Sequence, residues 1–189
     1  MVDLPDRVEP RFPPTLEPAA RARIERAIAR AADINASHTG LAGDASLLGF
    51  ASAARGGDIL FHEACRRQGI DTVIVLPFAR EVFINRSVAG LDSGEWPARF
   101  KAIWAKTPLE RRHVLDRRLD DDDAFSACNI RLLELARQHG QVTLIALWDG
   151  REGRIGGTGD LIKHMRNAGR VEIISLNRWV PKSEKEIAS

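Results

Sequence analysis

Apolar positions recur along the chain in two rhythms. Over residues 17–32 they come at three-four spacing (Ile24, Ala27, Ile28, Ala31) among alanines and arginines, which predicts a helix with one buried face. Elsewhere they cluster in short stretches, at 47–51, 72–76, 142–148 and 171–176, two of which hold continuous apolar runs, at 73–77 and 144–148. Such runs, bounded by turn residues, predict strands covered on both faces, as in a parallel sheet. Residues 112–115 predict one more short strand. Helical stretches lie between them: 59–68 closed by Gly69, 97–106 with Pro97 in its first turn, 124–139, and 161–168 capped by Gly169. Residues 34–46, rich in Gly, Ser and Asn, predict a loop, and Gly90 to Gly94 a turn. Residues 1–16, with four prolines, predict an irregular segment, 17–180 one domain, and 181–189 a polar tail. Strands alternating with helices predict α/β class, with a mostly parallel sheet in a Rossmann-like three-layer α/β/α sandwich. No repeat of solenoid length is visible.

Composition narrows the picture without changing it. The 189 residues are 44% hydrophobic and 29% charged, as in an ordinary globular domain. A chain of this length buries roughly 70% of its unfolded surface and needs no disulfide or metal staple. With 28 basic against 26 acidic residues, nothing argues for a general nucleic-acid or anionic-membrane binder, and DNA binding is expected to be weak and salt-sensitive at most. No apolar run approaches the ~20 residues of a membrane span, and the polar N-terminus lacks the apolar core of a signal peptide, so the expectation is a cytoplasmic protein with no membrane role. Cys65 and Cys128 sit among apolar neighbours and read as small buried hydrophobes of a reducing compartment. The 23 arginines against five lysines are scattered and matched by acids, a bias of genome composition and not a phosphate-binding surface.

Chemistry enters at two glycine-rich segments. Strand 47–51 passes through Ala54-Arg55-Gly56-Gly57-Asp58 into a helix, and strand 142–148 passes through residues 149–160 (DGREGRIGGTGD) into another. A helix start offers unpaired N–H groups and about half a positive charge, and glycine lets an anion approach the backbone. Open α/β sheets bind ligands at the carboxyl ends of their strands, where strand order switches. Gly56, Gly57, Gly156, Gly157 and Thr158 are therefore candidates to hold phosphate. Asp58 and Asp160 are candidates beside them, or simple helix caps worth about 1 kcal/mol each. Neither segment is a Walker loop or a dinucleotide fingerprint.

Single residues carry further expectations. Asp149 ends a strand, the best place in the chain for a functional carboxylate. Glu63 either addresses a ribose or assists C–N cleavage as a base, or is an exposed helix glutamate beside Arg66 and Arg67. Arg80, just past strand 72–76, is placed to reach a phosphate. Asn129 faces the pocket or bonds locally. His62 is expected at or near the surface, and the four tryptophans in packing. The acidic run 120–123 reads as a solvated turn favouring the next helix start, with a metal site the lesser alternative. The histidines show no metal-ligand spacing, so no metal and no resident cofactor is expected.

Two segments resemble known sequence. Residues 149–160 after LIALW resemble the "WDG…GGT" segment of Rossmann-like domains in the SLOG superfamily, named after the Smf/DprA and LOG proteins, and residues 52–77 (SAARGGDILFHEACRRQGIDTVIVLP) look like that group's other core unit. Asp3, Arg7 and Arg11-Phe12-Pro13 are similar to the "GHRID…R…RFP" segment of one bacterial subgroup, and Ser87-Val88 with Trp96, Arg99 and Phe100 to its "SV…W..RF" stretch. That subgroup occurs beside tetratricopeptide repeats or nucleotide-cyclase domains. The resemblance implies binding of a nucleotide or nucleotide-derived signal, with Ser52 added to the candidate residues. It also implies a role in bacterial signalling or defence, self-assembly into a homo-oligomer, and a fused or associated effector. The chain begins within the "GHRID" motif, which leaves two readings open: the subgroup's first strand is missing, or the start of this chain is different. The hydrolytic members carry PGGxGTxxE. Here Ile162 and Lys163 stand near the place of that glutamate, which argues against the same hydrolysis. Binding module, N-glycoside hydrolase with Glu63 or Asp149 as acid/base, weak DNA binder and inert interaction module all remain open to the sequence.

Overall fold

The computed structural model describes residues 12–39, 47–90, 95–115, 121–151, 156–165 and 169–175. The segment before residue 12, the tail from 176 with Trp179, most of the Gly90 to Gly94 turn and Gly153 lie outside these residues. In chain order come α1 (Glu17–Thr39), β1 (Leu48–Ala51), α2 (Gly57–Arg67), β2 (Asp71–Leu76), α3 (Arg80–Phe83), α4 (Glu95–Lys106), β3 (Arg112–Val114), α5 (Asp121–His139), β4 (Thr143–Trp148), α6 (Thr158–Met165) and β5 (Arg170–Ser175). A π-helical turn, Ile84–Val88, continues α3.

All strand pairs are parallel. β1 pairs with β2 in the register Leu48 to Asp71, and β2 with β3 in the register Ile74 to Arg112. β4 and β5 pair along their whole length, from Thr143 against Arg170 to Trp148 against Ser175. Hydrogen bonding thus makes a three-stranded sheet, β1-β2-β3, and a two-stranded sheet, β4-β5.

The alternation of β2 explains why it is apolar throughout. Ile74 and Leu76 point to one face and join Ile24, Ile28, Ile59, Leu60 and Phe100, from α1, α2 and α4. Val73 and Val75 point to the other face and meet Cys128 and Leu132 of α5. Helices therefore cover both faces of parallel strands, the layered arrangement of a Rossmann-like α/β fold.

The structure corrects two local expectations and adds one element that the pattern did not predict. α1 runs on to Thr39, through what reads as a loop from Ile34. No glycine or proline occurs there before Gly40, and Asn and Ser cost only about 0.5 kcal/mol each in a helix interior. Residues 80–88 form a helical turn that burial of Phe83 and Val88 holds in place. α5 starts at Asp121, so residues 121–123 of the acidic run lie inside the helix. No helix of the described residues is long and apolar enough to cross a membrane.

Candidate functional site

Both glycine turns close in the same way. After β1, Gly56 adopts φ +98°, and the Ala54 N–H donates to Asp58 Oδ2 at 3.2 Å. Before α6, Gly156 adopts φ +80°, and its own N–H donates to Asp160 Oδ2 at 3.1 Å. In each turn a carboxylate in the first helical turn accepts from an N–H four residues upstream, the logic of a capping box. Ile59 and Leu60 donate back to Ala54 and Gly56 at 3.4 and 3.0 Å, and Leu161 to Gly157 at 3.1 Å, so each turn leads straight into its helix. Burial raises the Asp58 carboxyl above its ordinary value.

The glycines differ in what they permit. A Cβ at Gly156 would lie 2.4 Å from Phe125 Cβ and 2.7 Å from the Ser126 nitrogen, so this turn is pressed onto the backbone of α5. At Gly57 the nearest atom would be Leu147 Cβ at 3.8 Å, which puts the start of α2 beside the end of β4. A Cβ at Gly159 would lie at the same distance, 3.8 Å, from the Trp148 indole.

Consecutive residues of α5 touch the residue that leads into the first turn and the second turn itself. Cys128 Sγ lies 3.7 Å from Ser52 Oγ at the end of β1, and Asn129 Nδ2 donates to the Gly156 carbonyl at 2.9 Å. The first turn, the end of β4, the second turn and this stretch of α5 are thereby brought together. Asp149 is buried where β4 ends, with Oδ1 accepting the Arg151 N–H at 3.1 Å, and Trp148 Nε1 donates to the Arg151 carbonyl at 2.9 Å. Thr158, the first residue of α6, is exposed.

Two candidates lie elsewhere. Glu63, on the outer side of α2, accepts from Arg99 Nε and Nη2 at 2.7 and 2.8 Å and from Arg21 Nη1 at 2.9 Å. Burial raises this carboxyl, but the two arginines outweigh it and hold it below its ordinary value. Glu17 joins the network through both arginines, and the Arg99 guanidinium also lies 4.0 Å from the centre of the Trp96 ring. A carboxylate so engaged is a strut between α1, α2 and α4. Arg80 is exposed and pairs with Glu81 at 2.6 Å.

The sequence reading missed three residues near β1. His62 is buried, not superficial: it faces the strands, and its Nε2 lies 2.6 Å from the Ser52 carbonyl. A carbonyl only accepts, so Nε2 carries the proton and Nδ1 accepts from the Thr72 hydroxyl at 2.9 Å. Burial lowers its pKa and keeps it neutral. Arg55 is also buried, with Nη1 donating to the Ala89 carbonyl at 2.6 Å and its N–H to the Ser87 carbonyl at 3.0 Å. Ser87 itself is buried, and its hydroxyl has no hydrogen-bond partner among the described residues. Burial pushes the Cys65 and Cys128 thiols up to about 12, which leaves them poor nucleophiles.

Among the described residues, no group of three or more His, Cys, Asp or Glu side chains is placed to hold a metal ion. Comparison with family models, with curated proteins and with solved structures finds no match to this chain.

Proposed function

We propose that the chain binds a nucleotide or nucleotide-derived small molecule at the carboxyl edge of its strands, as a sensor or regulatory module of the SLOG type in bacterial signalling or defence. One observation carries the reading: two glycine turns of the same design, after β1 and before α6, flank one stretch of α5. In this reading backbone N–H groups at Gly56, Gly57 and Gly157 and the exposed Thr158 hydroxyl meet phosphate, while Asp149 addresses ribose or base. The Asp58 and Asp160 carboxyls already occupy both helix starts, so the reading implies moderate affinity. Ligand binding then shifts self-assembly or the activity of an associated effector.

Calorimetry with nucleotides, cyclic oligonucleotides, NAD and ADP-ribose tests the proposal. At least one should bind, and Thr158→Val and Asp149→Asn should weaken it. Heat from none of them ends the proposal. The buried Asp149 at a strand end keeps a second reading in play, cleavage of an N-glycosidic bond with this carboxylate as acid/base. Release of free base from NAD or a nucleoside monophosphate, lost in Asp149→Asn, would favour that enzyme over a sensor.

A further inference from the structure

A cleft of about 290 Å³ lies between α2 and α4, against the beginning of β2. Because the strands are parallel, this is the edge of the sheet away from the glycine turns. Its apolar lining is Ile70, Ala102, Ile103 and Pro108. Its charged lining is unbalanced, with Arg66, Arg99, Lys106 and Arg111 against Glu63 and Asp71. Arg99 is committed to Glu63 and Glu17, and Arg111 to Asp71 at 2.6 Å. Arg66 and Lys106 have no hydrogen-bond or ion-pair partner among the described residues. Each closes a helix, where the macrodipole favours a cation. The dipole does not dictate that both face one hollow with an apolar lining.

We infer that this cleft is a second binding site, for a compact organic anion: a phosphate or carboxylate on a small apolar body. Arg66 and Lys106 supply the two surplus positive charges, and Ile70 and Ile103 take the body. The volume sits at the lower end of small-molecule sites, which run from ~300 Å³ upward, and this favours a ligand smaller than a dinucleotide. A bound oxyanion also relieves the repulsion between two like charges around one cavity.

Titration of the whole chain with phenyl phosphate and benzoate, followed by amide shifts in α2 and α4, tests this. Phenol and inorganic phosphate serve as controls. Phenyl phosphate is expected to bind more tightly than either control, and less tightly as salt rises. Arg66→Gln and Lys106→Gln should each weaken it roughly two- to fivefold, as for exposed charge pairs, and the double variant should weaken it further. Both side chains are exposed, so melting temperatures should hardly move, and circular dichroism checks this. Three results overturn the inference: neither organic anion binds at millimolar concentration, the double variant binds as well as the parent, or inorganic phosphate binds as tightly as phenyl phosphate. Asp149→Asn should leave this binding intact, which separates it from the nucleotide site. Organic anions binding here while no nucleotide shifts the glycine turns would uphold this site and end the other proposal.

Discussion

Gly156→Ala should destabilise the protein far more than Gly69→Ala, although both glycines have positive φ. Gly69 ends α2 at φ +69°, and a Cβ there would meet nothing within 4 Å. Alanine at 69 therefore suffers only the left-handed backbone, about 1–2 kcal/mol, partly offset by a less flexible unfolded chain. Alanine at 156, at φ +80°, suffers the same and collides as well. Its Cβ would stand 2.4 Å from Phe125 Cβ and 2.9 Å from the Phe125 carbonyl carbon, where carbons ordinarily approach to ~3.5–4.0 Å. These atoms belong to the helix or are fixed to it, so no side-chain rotation removes the overlap. The turn must lift off α5, straining the bonds from Asn129 and to Asp160, at about 1 kcal/mol each, on top of an overpacking cost of about 1–3 kcal/mol. The expected totals are about 1 kcal/mol for Gly69→Ala and about 3–6 kcal/mol for Gly156→Ala. At roughly 2–4 °C per kcal/mol for a chain of this size, melting should fall by a few degrees in one and by about 10 °C or more in the other. Urea unfolding with unchanged slope confirms that stability alone has moved. Equal losses in the two variants would refute the close packing of the second turn on α5. Glycine at 156 would then have to be explained by what approaches it from outside.

Four further outcomes follow from the ionisable groups. Glu63→Gln should cost about 1–3 kcal/mol, because it leaves Arg99 and Arg21 facing a neutral amide, and it should leave nucleotide binding at the glycine turns unchanged. The Glu63 carboxyl is held below its ordinary 4.5, so its stabilisation is full above that pH and fades as pH falls through the lower folded value. Urea midpoints measured between about pH 5 and 3, roughly the carboxylate range, should show this loss in the parent and not in Glu63→Gln. His62 is held below its ordinary 6.5, so folding favours the neutral ring. Stability should fall as pH drops below 6.5, and His62→Gln should flatten that slope; an unchanged slope would mean that another group carries it. His62→Ala should cost about 2–4 kcal/mol at neutral pH, since the Ser52 carbonyl and the Thr72 hydroxyl lose their partner, as read by urea unfolding.

The strands were legible because their physics is local. TVIVL is apolar at every position only if both faces are covered, and the split of Val73 and Val75 from Ile74 and Leu76 between two cores is that condition met. Helix ends were legible where glycine is required, as at Gly69, and not where weak propensity competed with packing, as from Ile34 to Thr39. The parallel pairing was legible in the apolar runs, but the division of the described strands into β1-β2-β3 and β4-β5 was not, since strand order is set by contacts that no run of residues encodes. The two turns could be found from glycine spacing, but their partners could not. Asn129 meets Gly156 from 27 residues away, and Ser52 meets Cys128 from 76. The role of Glu63 was hidden for the same reason, with Arg99 and Arg21 coming from other helices. His62 shows the opposite case: on α2 it falls on the face that carries Ile59 and Cys65, a helical phase visible in the sequence but outweighed by the usual preference of histidine for the surface.

The central claim is that the two glycine turns form one ligand site. Amide chemical shifts of the isotopically labelled protein, titrated with the nucleotide panel, test it most directly. The account predicts that a binding nucleotide moves the amides of Gly56, Gly57, Gly157 and Thr158 together, along one saturation curve. Shifts at only one turn, shifts confined to α2 and α4 around Arg66 and Lys106, or no shifts at all would contradict it.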